Sequence, residues 1–301
     1  MNSIFDAECQ SLGLASAQAK LRLDEKAPQL FKDGFRSFKG AFTRPDYFEK
    51  KWLGLRLNAV KRGFTLDSLV TPEFLKKMMT GSCPVSLVSF KFEGQAPENP
   101  SVDRLCNDGT YAVANLAVFT QRVNRAKGSK SFEEILEIAC ISADSEGLLA
   151  FEWARLASLM YGAWDAYHDA RDPYLLPLRA YPVPGTFSTQ SQLVQLLLLR
   201  ACTQDAWPGS LNVWAQVTRD AGQTDELLLA FMLGLHAAAQ NCDYPPDAWA
   251  TPEIFARFFA WYSLCKDAAA EMLSESHVKY QSGVDVDAMT RLWMVGGRQV
   301  Q

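Results

Sequence analysis

Between positions 101 and 127 the chain sets out, in order, Ser101-Val102-Asp103-Arg104, Asn107-Asp108-Gly109-Thr110-Tyr111, Asn115-Leu116-Ala117-Val118 and Asn124-Arg125-Ala126-Lys127. Asp103 brings a carboxylate, Asn115 and Asn124 bring carboxamides, and Arg122, Arg125 and Lys127 bring positive charge. Taken alone, Asp103 and Asn124 also read as a hairpin-end salt-bridge partner and a helix cap. Arg104 directly follows the acid and cannot serve as a base, because a guanidinium keeps its proton in proteins. Its better use is a bidentate hold on a phosphate oxygen. Other chemistry-bearing residues offer less. His168, His236 and His277 stand in helical stretches without a serine, cysteine or carboxylate arrangement suited to catalysis, and are expected to be structural. The seven cysteines are scattered without a Cys-x-x-Cys pair, so reduced thiols are expected and a zinc ribbon is not. No glycine-rich phosphate loop is present in the sequence, and Gly296-Gly297 reads as a tail or turn.

The elements that would hold these residues follow from periodicity and turn chemistry. Residues 15–63 read as helical, broken near Pro28 and Pro45, with Phe48, Trp52, Leu55 and Ala59 at helical spacing. Thr71-Pro72-Glu73 is a helix start ahead of 72–79, which ends at Gly81. From 82 to 127 the character changes: short apolar runs at 85–92 and 116–119 alternate with Pro97–Pro100 and the turn-forming Asn107-Asp108-Gly109. Ser131 and Glu134 form a capping box opening a helix to about 141. Beyond it the pattern is helical at 145–170, 190–205, 211–221 (capped by Ser210), 225–241 and 252–277, with a proline-rich ordered loop over 172–189.

The ordered series at 101–127 resembles the HNH-like (ββα-metal) endonucleases of phages and mobile elements, in the branch with Ser-Leu-Asp-Arg in place of Asp-His. The pattern of that branch runs Cys-Pro-Val, Ser-Leu-Asp-Arg, Gly-Tyr, Asn-Val, Asn-Arg-x-Lys. Here Cys83-Pro84-Val85 opens it, after a basic helix ending in Lys61-Arg62-Gly63-Phe64 and then Thr65-Leu66. The likeness covers roughly residues 50–140, under a third of the chain. It implies a hairpin and helix holding one divalent cation against a scissile phosphate, with Asp103 as the strand-end metal ligand and Asn124 as the helix ligand. Such oxygen ligands suit Mg²⁺ or Mn²⁺. It further implies that Asn115 fixes the loop and that Arg125 and Lys127 lie beside the phosphates; Arg104, Arg122, Lys61 and Arg62 are expected to bind nucleic acid with them. Asp103, Arg104, Asn115 and Asn124 would then form the catalytic set. The chain departs from the pattern at Ala114, where glycine is usual, and at Ser86-Leu87, where Thr-Gly is usual. Arg104 leaves the attacking water without an obvious activator, although the Asp-Arg pair is common in that branch. Cys83 is expected to be a small packed side chain.

Charge sharpens the division. Residues 1–140 hold 20 Lys+Arg against 16 Asp+Glu, while residues 141–301 hold 10 against 18. Only the amino-terminal half is suited to face a polyanion. The tryptophans at 153, 164, 207, 214, 249, 261 and 293 fall in the acidic half, where core packing is the stronger expectation. The composition, 48% hydrophobic and 21% charged, is that of a globular protein. No apolar run is long enough to span a bilayer, and the first twenty residues lack a signal-peptide pattern, so a cytoplasmic protein without a membrane partner is expected. The expected fold is mostly α with a small ββα-metal (HNH-like) α+β module and a helical C-terminal domain. Its parts are a basic helical region at 1–70, the module at 71–142 and an acidic helical domain at 143–301. The expected function is metal-dependent cleavage or binding of DNA phosphodiesters, with RNA the second choice of substrate. The alternatives are an inactive nucleic-acid-binding protein on the same scaffold, or a protein-interaction module working through the helical half.

Overall fold

A computed structural model describes residues 3–281 apart from 65, 93, 95, 204–208 and 210. The expectations placed on Thr65, Trp207, Ser210, Trp293, Gly296-Gly297 and the His277 side chain lie outside the described residues. The chain is mostly helical with one small two-stranded antiparallel sheet. It divides into two compact units, Met1–Ser129 and Lys130–Gln301. No helix among the described residues is long and apolar enough to cross a membrane.

In the first unit α1 (Ser3–Gln18) and α2 (Gln29–Ser37) cross at glycines. A Cβ on Gly13 would collide with the Phe31 carbonyl, and one on Gly34 with the Gln10 carbonyl, so only glycine lets the two backbones touch. Helix α1 starts well before the expected position 15, and residues 19–28 form the turn into α2. Pro28 and Pro45 interrupt the helical signal as expected, because a proline disfavours helix in the residue before it. Helix α3 (Tyr47–Lys61) opens with a capping box from Asp46 and Glu49, and α4 (Pro72–Met78) with Thr71 accepting from the Phe74 N–H. Leu12, Phe31, Leu53 and Val60 form the core of these helices.

Strands β1 (Pro100–Arg104) and β2 (Leu116–Thr120) pair antiparallel with Asp103 opposite Ala117 and Arg104 opposite Leu116. Helix α5 (Gln121–Lys127) follows β2 without a linker, because the Thr120 hydroxyl caps it by accepting from the Val123 N–H. The apolar run at 85–92 forms no strand. It folds back in a turn in which the Leu87 N–H reaches the Cys83 carbonyl, with Leu87 at φ +58°. The structure places the hairpin in the same unit as the basic helices, with no division near residue 70. The Lys51 ammonium donates to the Pro100 carbonyl, Trp52 Nε1 to Val70 and Arg62 to the Tyr111 hydroxyl. The first and third of these bonds cross the expected boundary.

The second unit begins at Lys130, ahead of the expected 143. Helix α6 (Phe132–Ile141) belongs to it because Phe132 stacks on Tyr161 at 5.3 Å and Trp164 donates to the Glu133 carboxylate. Helix α7 (Ala150–His168) is buried along most of its length. The loop at 170–189 is ordered by Asp172, whose carboxylate accepts from the Tyr161 hydroxyl and from the Ser191 N–H and hydroxyl. Burial, with that bond, pushes the Tyr161 phenol pKa up. Helices α8 (Gln190–Thr203), α9 (Asn212–Asp220), α10 (Asp225–Gln240) and α11 (Pro252–Gln281) enclose Phe231, Trp249, Phe258 and Trp261, all 0% exposed. Trp153, Trp164 and Trp214 are buried as well, so the described tryptophans of this unit are core residues.

Candidate functional site

Side chains alternate across a strand, so Ser101 and Asp103 share one face of β1 and Arg104 points to the other. On a helix, residues three apart share a face, which sets Asn124 and Lys127 side by side on α5. The two faces meet. Asn124 Nδ2 donates to the Ser101 hydroxyl at 2.7 Å, and Lys127 Nζ donates to Asp103 Oδ2 at 3.0 Å. Lys127 also donates to Asn107 Oδ1 at 2.9 Å. Its side chain is 0% exposed and that of Asp103 13%, so this is an ion pair largely removed from water. Attraction between such groups is far stronger than at a surface, and so is the cost of leaving either alone.

The loop between the strands is held from within. Asn115 Oδ1 accepts from the Cys106 N–H at 2.7 Å, while its Nδ2 donates to the carbonyls of Cys106 and Thr110, each at 2.9 Å. One buried carboxamide thereby satisfies both polar groups of a buried peptide residue. Gly109 sits against it so closely that a Cβ there would lie 2.7 Å from Asn115 Nδ2. None of the family models, curated proteins or solved structures compared with the chain matches it.

Arg104 has a different setting from the expected phosphate grip. It is 4% exposed, donates Nη1 to the Gly109 carbonyl at 2.9 Å, and packs against the rings of Phe64 (4.4 Å) and Tyr111 (4.7 Å), which meet each other edge-on. A desolvated guanidinium against an aromatic ring gains about 2 kcal/mol per good contact. Register explains the outcome: on the face opposite Asp103, the long side chain enters the interior and organises the loop. Lys61 and Arg62, expected to bind nucleic acid, are also engaged. Lys61 pairs with Asp24 at 2.8 Å, which holds that carboxyl below its usual pKa, and Arg62 donates to Tyr111 at 3.1 Å. Burial lowers the pKa of the Lys51 ammonium on the same helix. Arg125 is exposed, reaching Gln121 along the helix, and Arg122 is half-buried. Cys83 is fully buried, its sulfur accepting from the Thr120 N–H, which makes it a packed side chain.

Asp103 and Asn124 were the expected ligands of Mg²⁺ or Mn²⁺. As arranged, they do not fit such an ion. The carboxylate oxygen nearest the helix already binds an ammonium, and Asn124 turns its amide hydrogen toward Ser101. A second cation on Asp103 would sit close to Nζ, and even unit charges at 4 Å repel by about 4 kcal/mol at a protein-like dielectric. Sequence reasoning missed Ser101, Asn107, Phe64 and Tyr111. Asn107 carried a signal, since it precedes Asp108-Gly109 in a turn that brings its side chain back toward α5. The aromatic pair carried none, because the ring positions are joined only by the fold.

Proposed function

We propose that the first unit engages the phosphodiester backbone of DNA through a nuclease-type ββα scaffold, and that it binds without cutting. The observation that carries this is the meeting of two faces: Asn124 and Lys127 on α5 against Ser101 and Asp103 on β1, in a hairpin-then-helix order. The order and residue types resemble those of the HNH-like nucleases, whereas the pairing of Lys127 with Asp103 and the interior position of Arg104 leave nothing among the described residues placed to activate water. Positive charge outside that site supplies the binding. Arg125 on α5 and Lys50 on α3 are exposed, in the half of the chain with the basic excess. Phosphate contacts by such side chains give affinity without sequence preference.

The test is duplex binding by fluorescence anisotropy across a salt series. The expected result is affinity that falls steeply with salt, with supercoiled plasmid left intact in Mg²⁺ or Mn²⁺. Absence of binding at low salt would sink the proposal. Plasmid nicking in Mg²⁺ or Mn²⁺ that disappears in Asp103→Ala would overturn it in favour of metal-dependent hydrolysis.

A further inference from the structure

We infer that Lys127 is a built-in cation that takes the place of a divalent ion at Asp103, so that the scaffold is held in its working shape without metal. This deepens the function proposed above and rests on it for the part that concerns DNA.

Three features of the residues converge. The first is position. Lys127 is the last residue of α5, and the chain leaves the helix at once through Gly128, at φ +52°. The ammonium therefore extends from the end of the helix, where positive charge is favoured by the backbone dipoles. The second is the set of acceptors. Nζ binds one carboxylate oxygen from β1 and one carboxamide oxygen from the inter-strand loop, at 3.0 and 2.9 Å. Oxygen donors from a strand, a loop and a neighbouring helix are what a hard cation would gather. Here a single side chain gathers two of those elements and is itself the third. The third is immobility. The residue is 0% exposed and its neighbours Val123 and Ala126 are buried on the same short helix. Its aliphatic stem is packed along its length, unlike a lysine that swings out to water.

An ammonium differs from a divalent ion in one functional respect. It neutralises Asp103 and fixes the strand to the helix, but it offers no open coordination position for water or phosphate. A site built this way keeps shape and loses Lewis acidity. The same substitution of roles accounts for Arg104: with no water to activate, the position after the acid is free to serve the loop.

The experiment is Mn²⁺ titration of the full-length chain, read by the loss of the free-ion electron paramagnetic resonance signal. Wild type and Asp103→Asn are expected to give the same weak response. Lys127→Ser removes the ammonium and leaves the Asp103 and Asn107 oxygens that it bound facing one space. It is expected to bind one Mn²⁺ about tenfold or more tighter than wild type, and Lys127→Ser with Asp103→Asn is expected to lose that gain. Wild-type Mn²⁺ binding that Asp103→Asn abolishes overturns the inference, as does a folded Lys127→Ser chain that ignores Mn²⁺. If circular dichroism shows Lys127→Ser unfolded, the comparison of wild type with Asp103→Asn decides alone. Duplex binding is measured alongside, in EDTA and in Mn²⁺ at matched ionic strength. Equal binding in both supports the inference, and binding that requires Mn²⁺ overturns it. Absence of binding in either condition is a failure of the DNA proposal, and leaves the Mn²⁺ titrations to decide the role of Lys127.

Discussion

The hairpin–helix segment at 100–127 and the second unit's helices solve the problem of a stable interior in opposite ways. Around Asp103 the strands and α5 bury apolar residues such as Leu116, Phe119 and Val123, and among them sit the buried polar side chains Arg104, Asn115 and Lys127, each tied to specific backbone or side-chain oxygens. Between α8, α10 and α11 the interior is Phe231, Trp249, Phe258 and Trp261, touching ring to ring at 5.0–6.5 Å. Apolar packing is non-directional and tolerant of small shifts, and it supplies stability roughly in proportion to area. Buried hydrogen bonds add little net stability, but each demands one geometry and penalises all others. The contrast teaches where position matters. In the first unit a seven-residue helix and two five-residue strands are too small to hold one another by area, and polar clamps set their relation.

Five substitutions break or sharpen that contrast. Phe258→Ala in the aromatic core is expected to cost about 4 kcal/mol, read by denaturant unfolding followed by near-ultraviolet circular dichroism. Seven of the eight tryptophans fall after residue 129, so that signal reports mainly the second unit. Lys127→Met strands the Asp103 carboxylate and is expected to cost about 3 kcal/mol. Adding Asp103→Leu should restore most of this, with a hydrogen-exchange profile of 100–127 near the wild-type one, whereas an additive double variant would show that the pair is not coupled. Asn115→Ala leaves a buried peptide N–H and carbonyls without partners, and about 2 kcal/mol is expected. The loss should be seen as faster exchange confined to 105–111. Arg125→Ala should leave stability within about 0.5 kcal/mol while lowering the slope of log affinity against log salt by about one. An unchanged slope would remove Arg125 from the DNA-facing surface.

Much of the framework was legible in the residues. Thr71, Ser131 and the prolines at 28 and 45 mark helix ends by local chemistry, and the caps form as their spacing demands. Strand β2 was legible in the short apolar run at 116–119, whereas the run at 85–92 forms no strand and β1 was expected only from the family resemblance. The partners of the charged groups were not legible. Arg104 reads as a surface cation until Phe64 and Tyr111, 40 and 7 residues away, are seen to close around it. Lys127 reads as a phosphate-facing lysine, because 24 residues separate it from the acid it meets. Burial of a charge depends on which distant atoms surround it, and periodicity carries no record of that. The division between units was misplaced for a similar reason: the contact of Phe132 and Glu133 with α7 is tertiary, and the capping box at Ser131 marks only where a helix begins.

The seclusion of Lys127 also gives it a distinctive reactivity. An amine is acylated only when its nitrogen can be approached, and this one is 0% exposed and engaged by two oxygens. A reagent that modifies exposed lysines such as Lys50 within seconds will reach Lys127 only in the interval when α5 has lifted from β1. Its labelling rate is thus a clock for that one local opening, set by the protein's own breathing and readable peptide by peptide, with no probe installed.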